Sequence, residues 1–275
     1  FQYYSGLTGA ISASTFKGDI SEKRLKGWRE EMINTYGKKA SDDYVDFTAD
    51  FGTLLHTALV TIKENGQINW NDERDKAWEY FHACYREKNL DPNSKVIKSM
   101  VFDYRKHVSS LMQFVYERVS EIYAIEIPVW DDELRISTPI DLVCSCRQTE
   151  KGDFKRTVIN IKTSTSVTKH HLDQVSMEYA MWNSIYEPCD YAAILRTKDW
   201  VESKSPTFDY KYLDAIEISS RFAKISNRLR LCLLDEDATY YPNPSSKEFT
   251  GITKIGEKPE IVTVMLKDEF ENTLK

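Results

Sequence analysis

The sequence predicts an α/β (α+β) fold, with a central mixed sheet flanked by helices and a helical N-terminal elaboration in front of it. Helical signals dominate residues 1–121, whereas strand-like alternation and one amphipathic helix dominate residues 122–200. The 275 residues, of which 41% are hydrophobic and 29% charged, suffice for one large core, and no repeat or linker divides them. We therefore expect a single domain over 1–275, completed by a helical and strand C-terminal part at 201–275.

The mainly helical part is predicted to contain four helices. Their approximate ranges are 12–36, 50–63, 71–88 and 94–121. Asn65-Gly66 marks the turn after the second helix, and Asp91-Pro92-Asn93 breaks the chain between the third and the fourth.

The pattern then changes from helical to strand periodicity. The first strand is predicted by alternating apolar residues, which are Tyr123, Ile125, Ile127 and Val129. Further strands are predicted at 135–146, 156–162 and 191–196. Before the last of them, apolar residues at steps of three and four predict an amphipathic helix: Leu172, Val175, Tyr179, Trp182 and Tyr186. Helices near 212–234 and a strand near 260–266 complete the prediction.

Charge and composition exclude several classes of protein. The net charge of −6 and the pI near 5.5 are not the footprint of a basic sequence-reading DNA binder, but a local basic strip can still guide a phosphate backbone. No segment approaches the roughly 18 apolar residues of a membrane helix, and Phe1–Gly6 lacks a signal pattern. A Gly-rich phosphate loop is also missing, which argues against an ATP motor. We expect a cytoplasmic protein.

Polar residues on two neighbouring predicted strands indicate a reaction centre. Asp141 lies in Thr138-Pro-Ile-Asp-Leu-Val, and Asn160 and Lys162 lie in Val-Ile-Asn-Ile-Lys. Because strand side chains alternate, Asn160 and Lys162 share a face. Carboxylates bind Mg²⁺, which activates water and polarises a phosphate, while a lysine can orient that water and offset developing charge. The pattern favours phosphodiester hydrolysis, and an ordinary Asp–Lys pair on a surface strand remains the alternative.

Motifs over residues 1–200 resemble the PD-(D/E)XK nuclease superfamily, in particular its RecE/RecB-like and lambda-type exonuclease branch. Ile11-Ser-Ala-Ser-Thr15 resembles the opening ISxS motif, and Phe51-Gly-Thr-Leu-Leu-His56 resembles the GTxxH helix. Asp141 and Lys162 match the metal-binding Asp and the catalytic Lys. The resemblance implies a restriction-endonuclease-like core and catalysis by Lys162, Asp141 and Asn160.

The resemblance also implies ligands and partners. Mg²⁺ (or Mn²⁺) would be bound by His56, Glu126, Asp141 and Asn160. Two of these assignments have alternatives, since His56 can be a core histidine and the alternation leaves Glu126 facing either the site or solvent. DNA contacts are expected from the following residues: Gln174, Thr163, Ser164, Lys17 and Arg24.

The chain departs from the family pattern at position 160, where Asn replaces Asp or Glu. Three explanations are open: an engineered substitution, which is favoured; a natural loss that leaves a DNA-binding relic; or replacement by another acid. Glu178 is the best candidate for that acid because it lies four residues after Gln174 on the same helix face. A second departure is one extra residue before Tyr179, which favours core packing for this tyrosine.

The resulting hypothesis is a metal-dependent deoxyribonuclease. Its favoured form is an exonuclease that acts on linear duplex DNA in recombination or phage DNA processing. The expected location is the cytoplasm of a bacterial or phage-infected host cell. A homo-oligomer and a single-strand-annealing partner protein are implied as well. Two alternatives are an endonuclease of the same superfamily and a non-catalytic DNA-binding or assembly subunit that retains the fold. Asn160 makes an inactivated variant part of the hypothesis.

Overall fold

A computed structural model describes thirteen stretches of the chain. They are residues 11–12, 27, 30–31, 33–34, 38, 52–62, 68–87, 95–131, 133–134, 136–164, 166–197, 207–234 and 262–263. The predicted helix at 12–36 and the predicted turns at 65–66 and 91–93 lie largely or wholly outside them. The described positions between 27 and 38 are helical.

Five longer helices are present in the described part of the chain. They are α1 at 52–62, α2 at Trp70–Glu87, α3 at Lys95–Arg118, α4 at Lys169–Ile185 and α5 at Ala215–Leu234. The predicted helices at 50–63 and 71–88 are confirmed. The predicted helix at 94–121 ends earlier, because strand pairing begins at Val119.

The strands form one mixed sheet. They are β1 at Ile11–Ser12, β2 at Val119–Asp131, β3 at Ile136–Arg147, β4 at Phe154–Lys162, β5 at Tyr191–Thr197, β6 at Phe208–Leu213 and β7 at Val262–Thr263. Their order is β6-β5-β4-β3-β2-β7, with β1 parallel to β3. β4 and β5 are parallel and joined through α4, and the neighbouring long strands are antiparallel. The predicted mixed sheet flanked by helices is confirmed.

Two further segments differ from the prediction. Ser12 belongs to the short strand β1, not to a helix. Residues near 212 also do not begin a helix, because Phe208–Leu213 forms the edge strand β6 against β5. The predicted helix is confirmed only from Ala215 onwards. Asp214 supports that start, since its side chain accepts a hydrogen bond from the backbone N–H of Glu217 at 2.8 Å.

Each face of the sheet is covered by its own apolar cluster. The front cluster joins α1, α2 and α3 to the sheet through Leu142, Cys144 and Ile159. The back cluster joins α4 and α5 to the sheet through Val143 and Val158. Helices on both faces of a largely buried sheet give a three-layer α/β arrangement.

A buried polar network fixes α1 against α2 and α3. The hydroxyl of Tyr104 on α3 donates to the backbone carbonyl of Leu54 at 3.0 Å and to Oε2 of Glu73 at 3.2 Å. The other oxygen of Glu73 accepts hydrogen bonds from Thr61 and Lys76, each at 3.0 Å. Because Glu73 is buried, these donors offset the cost of removing its charge from water. The network sets the position of α1.

We predict that Tyr104→Phe lowers the free energy of unfolding by about 1–3 kcal/mol, because it removes a donor from a buried carboxylate. Urea denaturation followed by circular dichroism measures the change. Tyr212→Phe is the matched control, since this side chain is 47% exposed, and it should change stability by less than about 0.5 kcal/mol. Equal effects of the two variants would contradict a stabilising role for the network.

Candidate metal centre

The sheet forks between β3 and β4. Their hydrogen-bonded pairing runs from Arg147 with Phe154 to Leu142 with Ile159 and ends there. Asp141 is the next residue on β3 and Asn160 the next on β4. Beyond the fork β4 remains paired with β5, while the first residues of β3 pair with β1. The polar residues that the sequence singled out therefore lie at the point where the two strands separate.

Asp141 lies directly after the last hydrogen-bonded pair of β3 with β4. Its Oδ2 accepts the backbone N–H of Ile161 at 2.6 Å. Strand N–H groups lie in the plane of the sheet, so the bond draws the carboxylate towards that plane rather than onto one face. A buried carboxylate in this position can be approached from both helical layers.

Side-chain alternation along β3 changes phase at Asp141. Leu142 packs in the front cluster, whereas Ile140, two residues away, packs in the back cluster. In a regular strand, residues two apart share a face. β3 therefore turns about its axis at Asp141, which places this residue at the boundary between the two layers.

The neighbouring strand β2 changes phase at Glu126. Ile125 packs against the front cluster and Ile127 against the back cluster. Glu126 has a φ of 51°, the only positive φ at a non-glycine residue in the described part of the chain. This conformation is disfavoured for a residue with a Cβ atom and is found at functional sites. The Glu126 side chain lies beside His56 and within reach of Asp141, and its role as a metal ligand stays a prediction.

His56 on α1 completes the group. Its Nδ1 lies 2.5 Å from Oε1 of Glu126, and its Nε2 lies 3.8 Å from Oδ2 of Asp141. One ligand atom from each of the three residues lies within 4.8 Å of the others. A cation placed among them would be held by one nitrogen and two carboxylate oxygens, so these residues could hold a metal ion.

A buried oxygen without a hydrogen bond supports this arrangement. Oε1 of Glu126 is buried and lies 2.5 Å from Nδ1 of His56, but the contact lacks regular hydrogen-bond geometry. The pair is therefore an ionic contact. An unsatisfied buried oxygen is costly, and a bound cation would satisfy it. The donor set therefore fits an oxygen-preferring divalent metal.

The two carboxylates control the charge of His56. Burial alone would lower the pKa of the imidazole, but Asp141 and Glu126 outweigh burial and raise this pKa to about 9. In the absence of metal, His56 is therefore protonated at neutral pH and compensates the two acids. A metal must displace this proton, because only neutral imidazole is a ligand.

Asn160 contacts a second acid from the back layer. The Nδ2 group of Asn160 donates to Oε1 and Oε2 of Glu178 on α4, at 3.0 and 3.2 Å. Nε2 of Gln174 donates to the same Oε1 at 2.8 Å. Asn160 and Glu178 are completely buried. Burial first, and then the charge of Asp141, raise the pKa of Glu178 to about 8.

Lys162 lies two residues beyond Asn160 at the end of β4. It is half-buried and forms no ion pair within the described part of the chain. The pKa of His171, in the first turn of α4, is lowered to about 4, first by burial and then by the positive charge of Lys162. Thr163 and Ser164 follow β4 and are half-buried.

The remaining predicted residues have mixed placements. Gln174 is buried, with its amide engaged by Glu178, and its role as a DNA contact stays a prediction. Tyr179 packs against the back cluster, and its hydroxyl donates to the carbonyl of Cys189 at 2.8 Å, which confirms core packing. Lys17 and Arg24 lie outside the described residues.

No helix in the described part of the chain is both long and apolar enough to cross a membrane. No protein-family model matches the chain, and no curated protein matches it significantly. The function must therefore be inferred from the residues of the site.

We predict that Glu126→Gln weakens Mn²⁺ binding by about 10–100-fold, because it removes one of two negative charges from the ligand group. Electron paramagnetic resonance of free Mn²⁺ measures the affinity. Glu121→Gln is the matched control on the same strand, since its carboxylate accepts a hydrogen bond from Tyr123 away from the group. If both variants bind Mn²⁺ like the unsubstituted protein, Glu126 is not a ligand.

We also predict that the metal-free protein loses stability as the pH rises from about 6.5 to about 9. The pKa of His56 is about 9 in the folded protein, against the ordinary 6.5 of an unfolded chain, so the folded state holds this proton more tightly. The stabilisation is complete below the lower value and is lost as the pH passes the higher one. Unfolding in urea with a chelator present measures it.

Glu178 contributes a fall in the same direction, from about 4.5 to about 8, because its folded pKa is raised as well. The His56 contribution is isolated by His56→Gln, which should flatten the part of the profile between about 8 and about 9. An unchanged slope in that interval would show that His56 is not held protonated by the two acids.

Proposed function

We propose that this chain is a metal-dependent deoxyribonuclease with a restriction-endonuclease-like core of the PD-(D/E)XK type. The observation that carries the proposal is the joining of His56, Glu126 and Asp141 into one ligand group, beside the strand that carries Lys162. These residues come from three separate elements. Their convergence at a fork in the sheet supports a reaction centre more strongly than an accidental surface ion pair.

Mg²⁺ or Mn²⁺ is the proposed cofactor. Two carboxylates and a single imidazole suit metals that prefer oxygen, and His56 makes Mn²⁺ a good probe. Among the described residues no second acidic, histidine or cysteine group of this kind is found. When bound, such a metal would polarise the scissile phosphate and lower the pKa of a water molecule.

Lys162 is the proposed catalytic side chain of the protein. Its ammonium group can hold the attacking water through a hydrogen bond and offset the negative charge that develops on the phosphate. The half-buried position strengthens this effect, because charges interact more strongly where water is partly excluded. Asp141 and Glu126 keep the local potential negative enough to hold a cation next to this lysine.

The proposed substrate is linear duplex DNA, acted on from its ends, in recombination or phage DNA processing. The resemblance supports this choice, together with assembly into a homo-oligomer and cooperation with a single-strand-annealing protein. Since the whole chain carries a charge of −6, DNA must be guided by a local basic surface rather than by net charge. Thr163 and Ser164 follow β4 directly and are proposed to contact the phosphate backbone near the centre.

A second candidate function is a non-catalytic DNA-binding or assembly subunit. The observation that favours it is Asn160, which brings no charge to the place where the resembling nucleases have an acid. Such a subunit would bind duplex without metal and would be indifferent to Asp141→Ala.

The test is digestion of linear and closed circular duplex with Mg²⁺ or Mn²⁺. We predict that Lys162→Met lowers the cleavage rate by at least about 100-fold, because it removes the cationic side chain proposed to hold the attacking water and to offset the developing charge. Lys155→Met is the matched control on the same strand, where the lysine is exposed, and it should retain the rate. The proposal fails if Lys162→Met and Asp141→Ala leave cleavage unchanged. Cleavage of closed circles would identify an endonuclease instead.

A further inference from the structure

The amide of Asn160 is oriented by a buried acid. The Nδ2 group of Asn160 donates a hydrogen bond to each of the two carboxylate oxygens of Glu178. An ionised carboxylate can only accept hydrogen bonds, so in this state Glu178 selects the amino end of an amide as its partner. Gln174 adds a further amide donor to the same carboxylate. Glu178 therefore determines which way the Asn160 side chain faces.

The opposite end of that amide is unsatisfied. Oδ1 of Asn160 is buried and has no hydrogen-bond partner. A side-chain carbonyl in this state costs free energy, because it has lost its water without a replacement. The amino group is turned to Glu178, and Oδ1 therefore points away from that acid. Asp141 is the residue across the fork from Asn160, directly after the last pair of the ladder.

An aspartate at position 160 would not fit this environment. The atom that now donates would become a carboxylate oxygen, 3.0 and 3.2 Å from the oxygens of Glu178. Two carboxylates at that separation cannot both remain ionised without a large cost. The position of Glu178 is therefore matched to an amide at 160.

We propose that Glu178 takes the place of the acid that position 160 lacks, and that it holds the amide of Asn160 so that Oδ1 is presented as a neutral oxygen ligand to the divalent cation. The inference rests on the proposed metal centre and assigns Glu178 as a positioning residue. The resembling nucleases have this acid on the strand that corresponds to β4, whereas here it lies on helix α4. Of the three explanations for Asn160, replacement by another acid is the one that the hydrogen bonds support.

The number of acids at the site follows from this assignment. Glu126, Asp141 and Glu178 are three acids, and Asn160 makes no fourth. The two groups can be exchanged by combining Asn160→Asp with Glu178→Gln. The exchange keeps the number of acids, and it keeps a hydrogen bond between the side chains at 160 and 178, with the donor now at 178. The exchange should therefore be tolerated where the single change to Asp is not.

A double-mutant cycle tests the proposal with Asn160→Asp, Glu178→Gln and the two combined. Thermal unfolding with a chelator and Mn²⁺ affinity by electron paramagnetic resonance are measured for all four proteins at the same pH. We expect Asn160→Asp alone to lower the metal-free Tm by about 5 °C. Glu178→Gln alone should weaken Mn²⁺ binding by about tenfold.

The combined variant should recover both the Tm and the Mn²⁺ affinity to near the values of the unsubstituted chain. A purely structural Glu178 would change the Tm but would leave the Mn²⁺ affinity of the folded protein unchanged, which overturns the proposal. An Asn160→Asp protein as stable without metal as the unsubstituted chain overturns it too, as does additivity of the two changes.

The outcome is independent of DNA cleavage. Coupling between positions 160 and 178 in a protein that cuts no DNA would support the metal site and remove the nuclease proposal. Cleavage that depends on Lys162 without such coupling would keep the nuclease proposal and remove the role of Glu178.

Discussion

The hydrogen bond from the backbone N–H of Ile161 to Oδ2 of Asp141 is the interaction on which the site depends. It ends the pairing of β3 with β4 and keeps a carboxylate within the sheet at the place where the strands separate. Because the carboxylate is accessible from both layers, His56 can approach on a helix of the front layer while Glu178 influences the site from the back layer.

In the described part of the chain around the fork, two buried oxygens lack a regular hydrogen bond. Glu178 is satisfied by amide donors, whereas Oε1 of Glu126 and Oδ1 of Asn160 have no hydrogen bond. Such atoms are rare in buried regions, since each costs about 1–3 kcal/mol. A divalent cation would satisfy both kinds of oxygen, and it would also replace the proton that His56 carries in its absence. In the proposed metal centre, stability and metal binding would therefore be linked through the same residues.

Much of the fold could be predicted from sequence, because α1, α2 and the alternating strand β2 have clear periodicities. β6 could not, since its six residues form a half-exposed edge strand whose signal is weak beside the following helix. At the site, His56 and Asp141 lie close together with Glu126, and their expected roles as metal ligands stay predictions. The direction of Glu126 could not be derived, because it depends on a positive φ and on a change of phase that alternation alone does not contain.

The most direct test of a metal centre at the fork is a crystal structure of the protein with Mn²⁺, using anomalous scattering to locate the ion. We expect one strong anomalous peak within about 2.5 Å of His56, Glu126 and Asp141, with Oδ1 of Asn160 turned towards it. A fully occupied Mn²⁺ elsewhere in the protein, with these four side chains unchanged and no peak between them, would contradict it.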